Sequence, residues 1–360
     1  MSKAISFKEV SKEFPGGTHA LRDINFEVNE GEFMVVVGPS GCGKSTILRL
    51  IAGLESQSAG QIDLFGKNAG DLLPQQRDLG MVFQNYALFP HLSVFDNLAY
   101  GLKIRRESGP EIRQKVDFVA RKLDILELLQ RKPHQLSGGQ RQRVALGRLL
   151  ARNPKIHLFD EPLGNLDPQF RSGLRTELHE LHRESSQTTV YVTHDQAEAM
   201  TLGQKICVLR KGQVLQIGSP DEIYNQPTHR FVAEFFGSPG AQCIDGRIEK
   251  NGEDSSLFIT TDLQFKLDLP LLLPTGSITL GIRPEDWQIS SPENSQIQAV
   301  IKRIENLGDH RLIEAQTGGE KIIIKTSSTE FCENENIGLN LANDKLHWFE
   351  RYTGKRIQTF

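Results

Sequence analysis

The sequence contains Gly38-Pro39-Ser40-Gly41-Cys42-Gly43-Lys44-Ser45-Thr46, a stretch that fits the pattern G-x-x-x-x-G-K-[ST] in full. It follows a buried-looking strand, Phe33 to Val37, and precedes a run with helical periodicity. Its glycines let successive backbone N–H groups turn toward one anion. We expect Lys44 to lie beside the β- and γ-phosphates and the Ser45 hydroxyl to bind Mg²⁺. The stretch therefore predicts a nucleoside triphosphate site, the alternative being an accidental glycine-rich turn.

Length and composition limit the class of protein. The 360 residues suggest two domains, each with its own core. The formal net charge of −3, from 42 basic and 45 acidic residues, gives no overall basic field, so no nucleic-acid partner is expected. No apolar run approaches the roughly eighteen residues of a membrane span, and the N-terminal residues do not read as a signal peptide. We therefore expect a chain that does not itself cross a membrane.

The cysteines favour a reducing compartment. Cys42, Cys207, Cys243 and Cys332 show no C-x-x-C spacing, which argues against a zinc site or a disulfide framework and for the cytosol. Cys42 lies where a helix should begin, and the positive end of a helix lowers the pKa of a thiol. We expect Cys42 to have a depressed pKa and to react with alkylating reagents, with the bound nucleotide protecting it.

A second anion-binding segment is predicted at Leu136-Ser137-Gly138-Gly139-Gln140. A helical pattern follows it to Arg152, so these residues form a helix N-terminus with free N–H groups, although Ser137 could simply be an N-cap. Apolar residues from about Asn97 to Gln130 also recur at helical spacing, with Pro133 as the expected stop. Together these patterns predict a helical insertion over about residues 87–153.

Polar residues follow three predicted strands, at the strand ends where α/β sheets meet their ligands. Gln84 ends the strand that begins at Gly80, Asp160 and Glu161 follow Ile156 to Phe159, and His194 follows Thr189 to Thr193. Asp160 suits the Mg²⁺ shell through water, Glu161 suits a general base, and His194 could touch a γ-phosphate. The alternatives are a solvated acidic turn and a structural histidine.

The remaining segments read as strands. Residues 5–28 alternate around a turn at 15–17 and predict antiparallel strands, with Phe14 just before the turn as either an adenine-stacking ring or ordinary core. Residues 206–217 predict a closing hairpin at Lys211-Gly212. Beyond a boundary near residues 236–240, short alternating segments predict a small β-barrel or sandwich.

These motifs, in this order, resemble an ATP-binding cassette (ABC) ATPase. Four further segments resemble the ATPase subunit of bacterial maltose and glycerol-phosphate type importers: residues 84–94 (QNYALFPHLSV), 141–145 (RQRVA), 191–195 (YVTHD) and 281–285 (GIRPE). The resemblance is strong to about residue 240 and weaker beyond. It implies an α/β P-loop NTPase core with an antiparallel β subdomain and the helical insertion over residues 1–236, followed by a small all-β, OB-like (TOBE) domain over residues 240–360.

The resemblance also implies roles for individual residues. Phe14 corresponds to the adenine-stacking aromatic, and Gln84 to the glutamine that senses Mg²⁺ and the attacking water. His194 would stabilise the transition state beside Glu161. Two copies would close head to tail, so that residues 136–140 of one chain bind the γ-phosphate held by Lys44 of the other. Residues Asn165, Leu166 and Asp167 would link the two sites of the dimer.

Two positions depart from the family pattern. Gly164 replaces the usual serine, which puts one hydrogen bond across the dimer in question. Asp286 stands where the family commonly has histidine, which leaves the regulatory contacts of the C-terminal domain open.

The resemblance implies an ATP- and Mg²⁺-dependent ATPase of an importer, peripheral on the cytoplasmic face of the inner membrane. Its partners would be the membrane permease subunits, whose coupling helix the 86–94 segment would receive, and, indirectly, a solute-binding protein, with a regulatory protein at the C-terminal domain. The C-terminal resemblance favours a sugar or sugar-like solute, while sulfate, iron or polyamine remain alternatives. The alternative from another class is a non-transport ABC ATPase that acts on nucleic acid or ribosomes.

Overall fold

The computed structural model describes residues 2–164, 168–251, 255–260, 266–269, 273–318 and 320–357. The chain forms two compact units, Met1–Pro220 and Asp221–Phe360. The proposed dimer-linking residues 165–167 lie outside the described residues.

The elements of the first unit alternate strands and helices. Its strands are β1 (Lys3–Phe14), β2 (Thr18–Asn29), β3 (Phe33–Val37), β4 (Ala59–Leu64), β5 (Lys67–Asn68), β6 (Leu79–Val82), β7 (Ile156–Asp160), β8 (Thr188–Thr193), β9 (Lys205–Arg210) and β10 (Gln213–Gly218). Its helices are α1 (Lys44–Ala52), α2 (Val94–Ile104), α3 (Gly109–Lys122), α4 (Gly138–Arg152), α5 (Pro168–Ser185) and α6 (Gln196–Leu202).

The central sheet of the first unit has the strand order β10-β9-β3-β8-β7-β6 among the described residues. All neighbours pair in parallel except β9 and β10, which form the predicted hairpin. Every residue of β3 is buried, as expected for a parallel strand covered on both faces. The carboxyl ends of β3, β6, β7 and β8 therefore meet at one edge of the sheet, where ligands of α/β folds bind.

A second sheet, in the order β2-β1-β4-β5, is antiparallel as predicted. Its apolar side chains share one core with α1 and one face of the central sheet. Within it the rings of Phe7 and Phe26 stack at 4.4 Å between centroids. This core fixes α1, and with it the loop before α1, against the central sheet.

The helical insertion is confirmed as helical, but its helices break earlier than expected. Helix α2 begins at Val94, where the Ser93 hydroxyl caps it, and α3 ends at Lys122. Asp124 then takes a positive φ of 53°, which helix geometry does not allow. Pro133 was expected to end a helix, and this was wrong: it begins a short 3₁₀ turn, Pro133–Gln135, because proline suits a first helical position.

The second unit is mainly β-structure, as predicted. It contains the short helices α7 (Pro220–Asn225), whose first residue still belongs to the first unit, and α8 (Arg230–Phe235). The strands that follow are β11 (Gln242–Lys250), β12 (Ser256–Thr260), β13 (Lys266–Leu269), β14 (Gly276–Ile282), β15 (Trp287–Ser290), β16 (Ile297–Asn306), β17 (Arg311–Thr317), β18 (Glu320–Thr326), β19 (Asn336–Leu341) and β20 (His347–Glu350). In the described ranges these strands form two antiparallel sheets, ordered β13-β12-β11-β14-β20 and β15-β19-β16-β17-β18. One apolar core, which includes Phe258 and Trp348, lies between their strands.

Candidate nucleotide site at the edge of the central sheet

The glycine-rich loop connects β3 to α1, and its shape depends on close packing. Gly43 is the N-cap of α1 and has a φ of 109°. A Cβ atom at Gly43 would lie 2.6 Å from the backbone oxygen of Ala20, and one at Gly38 would lie 2.1 Å from that of Leu209. Gly41 has a φ of 78° with open space around it. The loop therefore lies tightly against its neighbours on one side, while at Gly41 it leaves room for an anion.

Lys44 places its ammonium group inside this loop. Only 4% of the residue is exposed, and its Nζ donates to the carbonyl oxygens of Gly38 at 2.9 Å and Pro39 at 3.1 Å. The same nitrogen lies 3.5 Å from Oε1 of Glu161. The loop thus holds a buried cation at the positive end of α1, which is a favourable arrangement for a phosphate.

Ser45 and Asp160 join the loop to the end of β7. Ser45 Oγ donates to Asp160 Oδ1 at 2.8 Å. Burial raises the pKa of Asp160 above its usual value, the Ser45 hydrogen bond lowers it, and the neighbouring Glu161 charge raises it again. Hydroxyl and carboxylate oxygens are the ligands that Mg²⁺ prefers. Two adjacent carboxylates, one of them desolvated, therefore fit a divalent cation, although the described residues include no group of three His, Cys, Asp or Glu side chains arranged around a metal.

Glu161 lies between Lys44 and His194. Its Oε2 is 3.0 Å from Nδ1 of His194, and its backbone N–H donates to the oxygen of Val192 on β8 at 2.9 Å. Glu161 also has a φ of 44°, an unfavourable conformation for a residue with a Cβ. Such strain persists where the surroundings fix it, often at functional sites. The carboxylate is thus aimed into the site by the strand ends on either side of it.

Gln84 follows β6 at the same edge of the sheet. The strand was expected to reach Gln84 but ends at Val82, and residues 83–86 form a turn in which the Tyr86 N–H donates to the Phe83 oxygen at 2.9 Å. Gln84 is a central residue of that turn. The sequence therefore located this residue correctly at the sheet edge, while its local structure is a turn.

The 136–140 segment lies at the start of α4. Ser137 Oγ accepts the Gln140 N–H at 3.3 Å, and Gln140 Oε1 accepts the Ser137 N–H at 3.0 Å, which is a capping box. Ser137 is therefore the N-cap that the sequence left as one alternative. Ser137 and Gly138 are exposed, and a Cβ at Gly139 would meet no other atom within 4 Å. Packing within the chain does not explain a glycine at position 139.

The comparisons with known proteins agree with this geometry. Residues 21–164 match the family model "ABC transporter", and residues 280–349 match "TOBE domain". The sn-glycerol-3-phosphate import ATP-binding protein UgpC of Yersinia pseudotuberculosis is 45% identical over 360 residues, which cover 98% of this chain and 99% of that protein. UgpC of Pectobacterium atrosepticum is 44% identical over 357 residues, with the same coverage.

The chain belongs to the ABC transporter family. Solved structures of the same fold support this assignment. A dimeric ATP-binding cassette bound to ADP and Pi matches with a TM-score of 0.56 and 33% identity, covering 60% of this chain and 98% of that one. The CbiO1 protein of Clostridium perfringens matches with a TM-score of 0.58 and 29% identity, covering 63% and 92%. The chain is therefore an ABC ATPase that uses ATP, with a C-terminal TOBE domain.

Phe14 of this ABC ATPase ends β1 and is half-buried. The ammonium of Lys12 lies 4.8 Å from the centroid of its ring. One face of the ring is thus already in contact with a cation.

The thiol of Cys42 does not have the predicted depressed pKa. Only 5% of the residue is exposed, and burial raises the pKa of its thiol, although the Lys44 charge and the nearby backbone N–H groups lower it. The expected depressed pKa was wrong because desolvation outweighs the helix terminus. Sequence position predicted the helix end correctly but gave no measure of burial.

Gly164 and Asp286, the two departures from the family pattern, differ in their surroundings. The Gly164 N–H donates to the Glu161 oxygen at 3.2 Å, and a Cβ at Gly164 would lie 3.4 Å from that oxygen. Asp286 ends a 3₁₀ turn, Pro284–Asp286, where burial and the adjacent Glu285 raise the pKa of its carboxyl group. Gly164 therefore belongs to the turn that begins at Glu161, and Asp286 to a partly buried charged cluster of the second unit.

A groove of about 700 Å³ lies beside the 86–94 segment. Ala87 and Phe89 line it together with the exposed side chains of Tyr100 and Ile104. The helices within the described ranges are too short or too polar to form a membrane span.

The sequence interpretation missed Arg148, which contacts the segment after Gln84 from helix α4. Its Nη1 donates to the oxygen of Ala87 at 2.7 Å. The only available signal was a charged residue among the apolar positions of a predicted helix.

Proposed function

We propose that this ABC ATPase energises an importer for a sugar or sugar-like solute, with a glycerol phosphate as the first solute to test. The observation that carries the ATPase part is the contact of Glu161 with both Lys44 and His194 at the end of β7. The solute class is supported by relatives named for sn-glycerol-3-phosphate import, which align with 98% of the chain. Sulfate, iron and polyamine importers are the alternatives within the family.

In this proposal the chain's own residues position ATP and the attacking water. Lys44 and the N–H groups of residues 38–46 hold the β- and γ-phosphates, and Phe14 stacks on adenine. Glu161 accepts a proton from the water, and His194 orients Glu161 and contacts the γ-phosphate. Ser45, Asp160 and Gln84 would hold Mg²⁺, which would neutralise phosphate charge when bound.

The assembly we propose is a head-to-tail homodimer. The exposed N-terminus of α4, with Ser137 and the open space at Gly139, would approach the γ-phosphate of the partner chain. Residues 165–167 would link the two sites. This arrangement would exclude water from the shared phosphates only while the dimer is closed.

The partners we propose are membrane permease subunits, which would dock a helix in the groove beside residues 86–94. A solute-binding protein would act indirectly, and a regulatory protein would bind the TOBE domain. The protein would then lie peripherally on the cytoplasmic face of the inner membrane, with the ATPase domain over residues 1–236 and the TOBE domain over 240–360.

Glu161→Gln tests the ATPase mechanism. We expect the variant to bind ATP and to dimerise, because Lys44 and the loop are unchanged, but to lose at least about 100-fold in kcat, because an amide cannot accept the proton. ATP binding is measured by calorimetry, dimerisation by light scattering and turnover by phosphate release. Lys44→Ala is the matched control that should lose ATP binding itself. Normal turnover by Glu161→Gln would contradict the assignment.

Transport is tested by co-expression with permease subunits from the same organism, followed by uptake of labelled glycerol 3-phosphate, maltose and sulfate. Uptake that Glu161→Gln abolishes identifies the solute. Salt-sensitive RNA binding, without any association with membranes, would support the nucleic-acid alternative instead.

A further inference from the structure

The turn that presents Gln84 has an unusual backbone. Tyr86 and Ala87, the two residues after its central pair, both have positive φ, at 64° and 45°. Neither is glycine, asparagine or aspartate, the residues that tolerate this region, and each left-handed residue costs about 1 kcal/mol. No local sequence preference explains the conformation, so contacts from elsewhere in the fold must hold it.

Arg148 supplies those contacts. Its guanidinium donates to the oxygen of Ala87 at 2.7 Å and to that of Tyr86 at 3.5 Å, so that one side chain binds two consecutive carbonyl groups. The guanidinium carbon also lies 5.7 Å from the centroid of the Phe89 ring. Partial burial lowers the pKa of Arg148, in keeping with a side chain that is used for structure.

Helix α4 connects the contact between Arg148 and the Tyr86 and Ala87 oxygens to the other functional segments. Ser137 caps the start of α4, and Arg148 lies on the same helix three turns later. Gly147 brings α4 close to α2 and α3, since a Cβ there would lie 3.2 to 3.4 Å from Leu123, Leu98 and Val119. Arg148, Ala87 and Phe89 also line the groove beside residues 86–94. A displacement of α4 would therefore move the turn that carries Gln84.

We propose that Arg148 is a positioning residue for ATP hydrolysis: it holds the Tyr86–Ala87 backbone in its left-handed conformation and thereby fixes Gln84 at the sheet edge. This inference rests on the role proposed above for Gln84. Arg148 itself touches neither ATP nor water in this scheme. It acts through the turn closed by the Phe83 and Tyr86 backbone hydrogen bond.

The test uses the full chain and the variant Arg148→Lys, which keeps the charge but cannot bind two carbonyl oxygens with a planar fork. We expect kcat to fall about tenfold while KM for MgATP changes less than twofold, because misplacing a catalytic group affects turnover and the phosphate loop is untouched. Arg143→Lys is the matched control. Arg143 is on the same helix and makes a similar pair of bonds, to the Leu123 oxygen and to Glu177, each at 2.7 Å. It should keep kcat within twofold.

A double-mutant cycle distinguishes positioning from general stability. In a Gln84→Ala background, Arg148→Lys should change kcat less than twofold, because there is no glutamine left to position. Full additivity of the two substitutions would overturn the inference. If Gln84→Ala alone has normal kcat, the proposed role of Gln84 is wrong, and the inference about Arg148, which depends on it, is wrong too. If Gln84→Ala is impaired and Arg148→Lys is normal, only the inference about Arg148 fails.

Arg148→Gln is the second variant, made in case the lysine variant does not fold, and thermal unfolding by circular dichroism checks both. Arg148→Gln can still donate to one carbonyl, and we expect it to show the same loss in kcat with the same dependence on Gln84. Failure of both variants to fold would assign Arg148 a purely structural role and would overturn the inference.

Discussion

Acidification should destabilise the ATPase unit through His157, the second residue of β7. The residue is 4% exposed, and its Nε2 has no hydrogen-bond partner within the described part of the chain. Burial, followed by the charge of His182, lowers the pKa of His157 from 6.5 to about 4. The folded state therefore takes up this proton only well below the pH at which the unfolded chain does.

The sign and size of the effect follow from proton linkage. Because the folded pKa is depressed, the free energy of unfolding is fully retained above about pH 6.5 and falls as the pH drops toward about 4. A difference of about 2.5 pKa units corresponds to about 3.4 kcal/mol over that whole range. Of this contribution from His157, about 2 kcal/mol is lost between pH 8 and pH 5.

His157→Leu removes this proton and keeps an apolar side chain in a cavity lined by Phe33, Leu146 and Phe159. We expect its free energy of unfolding to fall about 2 kcal/mol less than that of the wild type between pH 8 and pH 5. Urea unfolding followed by circular dichroism at 222 nm is the assay, because all the longer helices lie in the first unit. His134→Leu, at an exposed position of the same unit, should behave like the wild type. Equal pH dependence of wild type and His157→Leu would refute the reasoning.

Two further predictions concern buried groups in each unit. The pKa of His347 is lowered to about 4 by burial and then by the charges of Arg356, Arg283 and Lys345. The second unit should therefore lose stability as the pH falls from about 6.5 toward 4. Fluorescence of Trp287 and Trp348, both in that unit, reports the loss, and a pH-independent midpoint would contradict it. Alkylation at pH 7.5, followed by mass spectrometry, should modify the exposed Cys332 at least about tenfold faster than Cys42, since burial raises the pKa of the Cys42 thiol. Comparable rates would mean that the loop opens readily.

The sequence predicted the elements of the site because each signal was local. A buried strand followed by a polar residue marked the ends of β7 and β8, where Asp160, Glu161 and His194 lie. A serine and two adjacent glycines, followed by a helical pattern, marked the start of α4. Parallel strands then place these ends at one edge without any further information.

Other features depend on contacts between distant segments, and the sequence did not predict them. The pKa of Cys42 is set by the packing of its loop against β9, which spacing along the chain does not reveal. The break after α3 lies at Asp124, and although aspartate tolerates a positive φ, it also occurs inside helices and does not by itself mark a helix end. The contact between Arg148 and Ala87 joins residues 61 positions apart, so a helical pattern could at most indicate on which helix Arg148 lies.

Backbone strain connects these observations to function. Tyr86, Ala87 and Glu161 all have positive φ, and all follow strands that end at the nucleotide edge of the sheet. Glycine at position 86 or 87 would remove a cost of about 1 kcal/mol each but would also free the backbone next to Gln84, and glycine at position 161 would remove the carboxylate itself. A carboxylate or glutamine must be held within a fraction of an ångström to act on one water molecule. Two contacts therefore perform the same physical task at two strand ends. The Val192 oxygen accepts the Glu161 N–H, and the Arg148 guanidinium donates to the Tyr86 and Ala87 oxygens. Each holds an unfavourable backbone conformation in place at or beside one polar residue of the site.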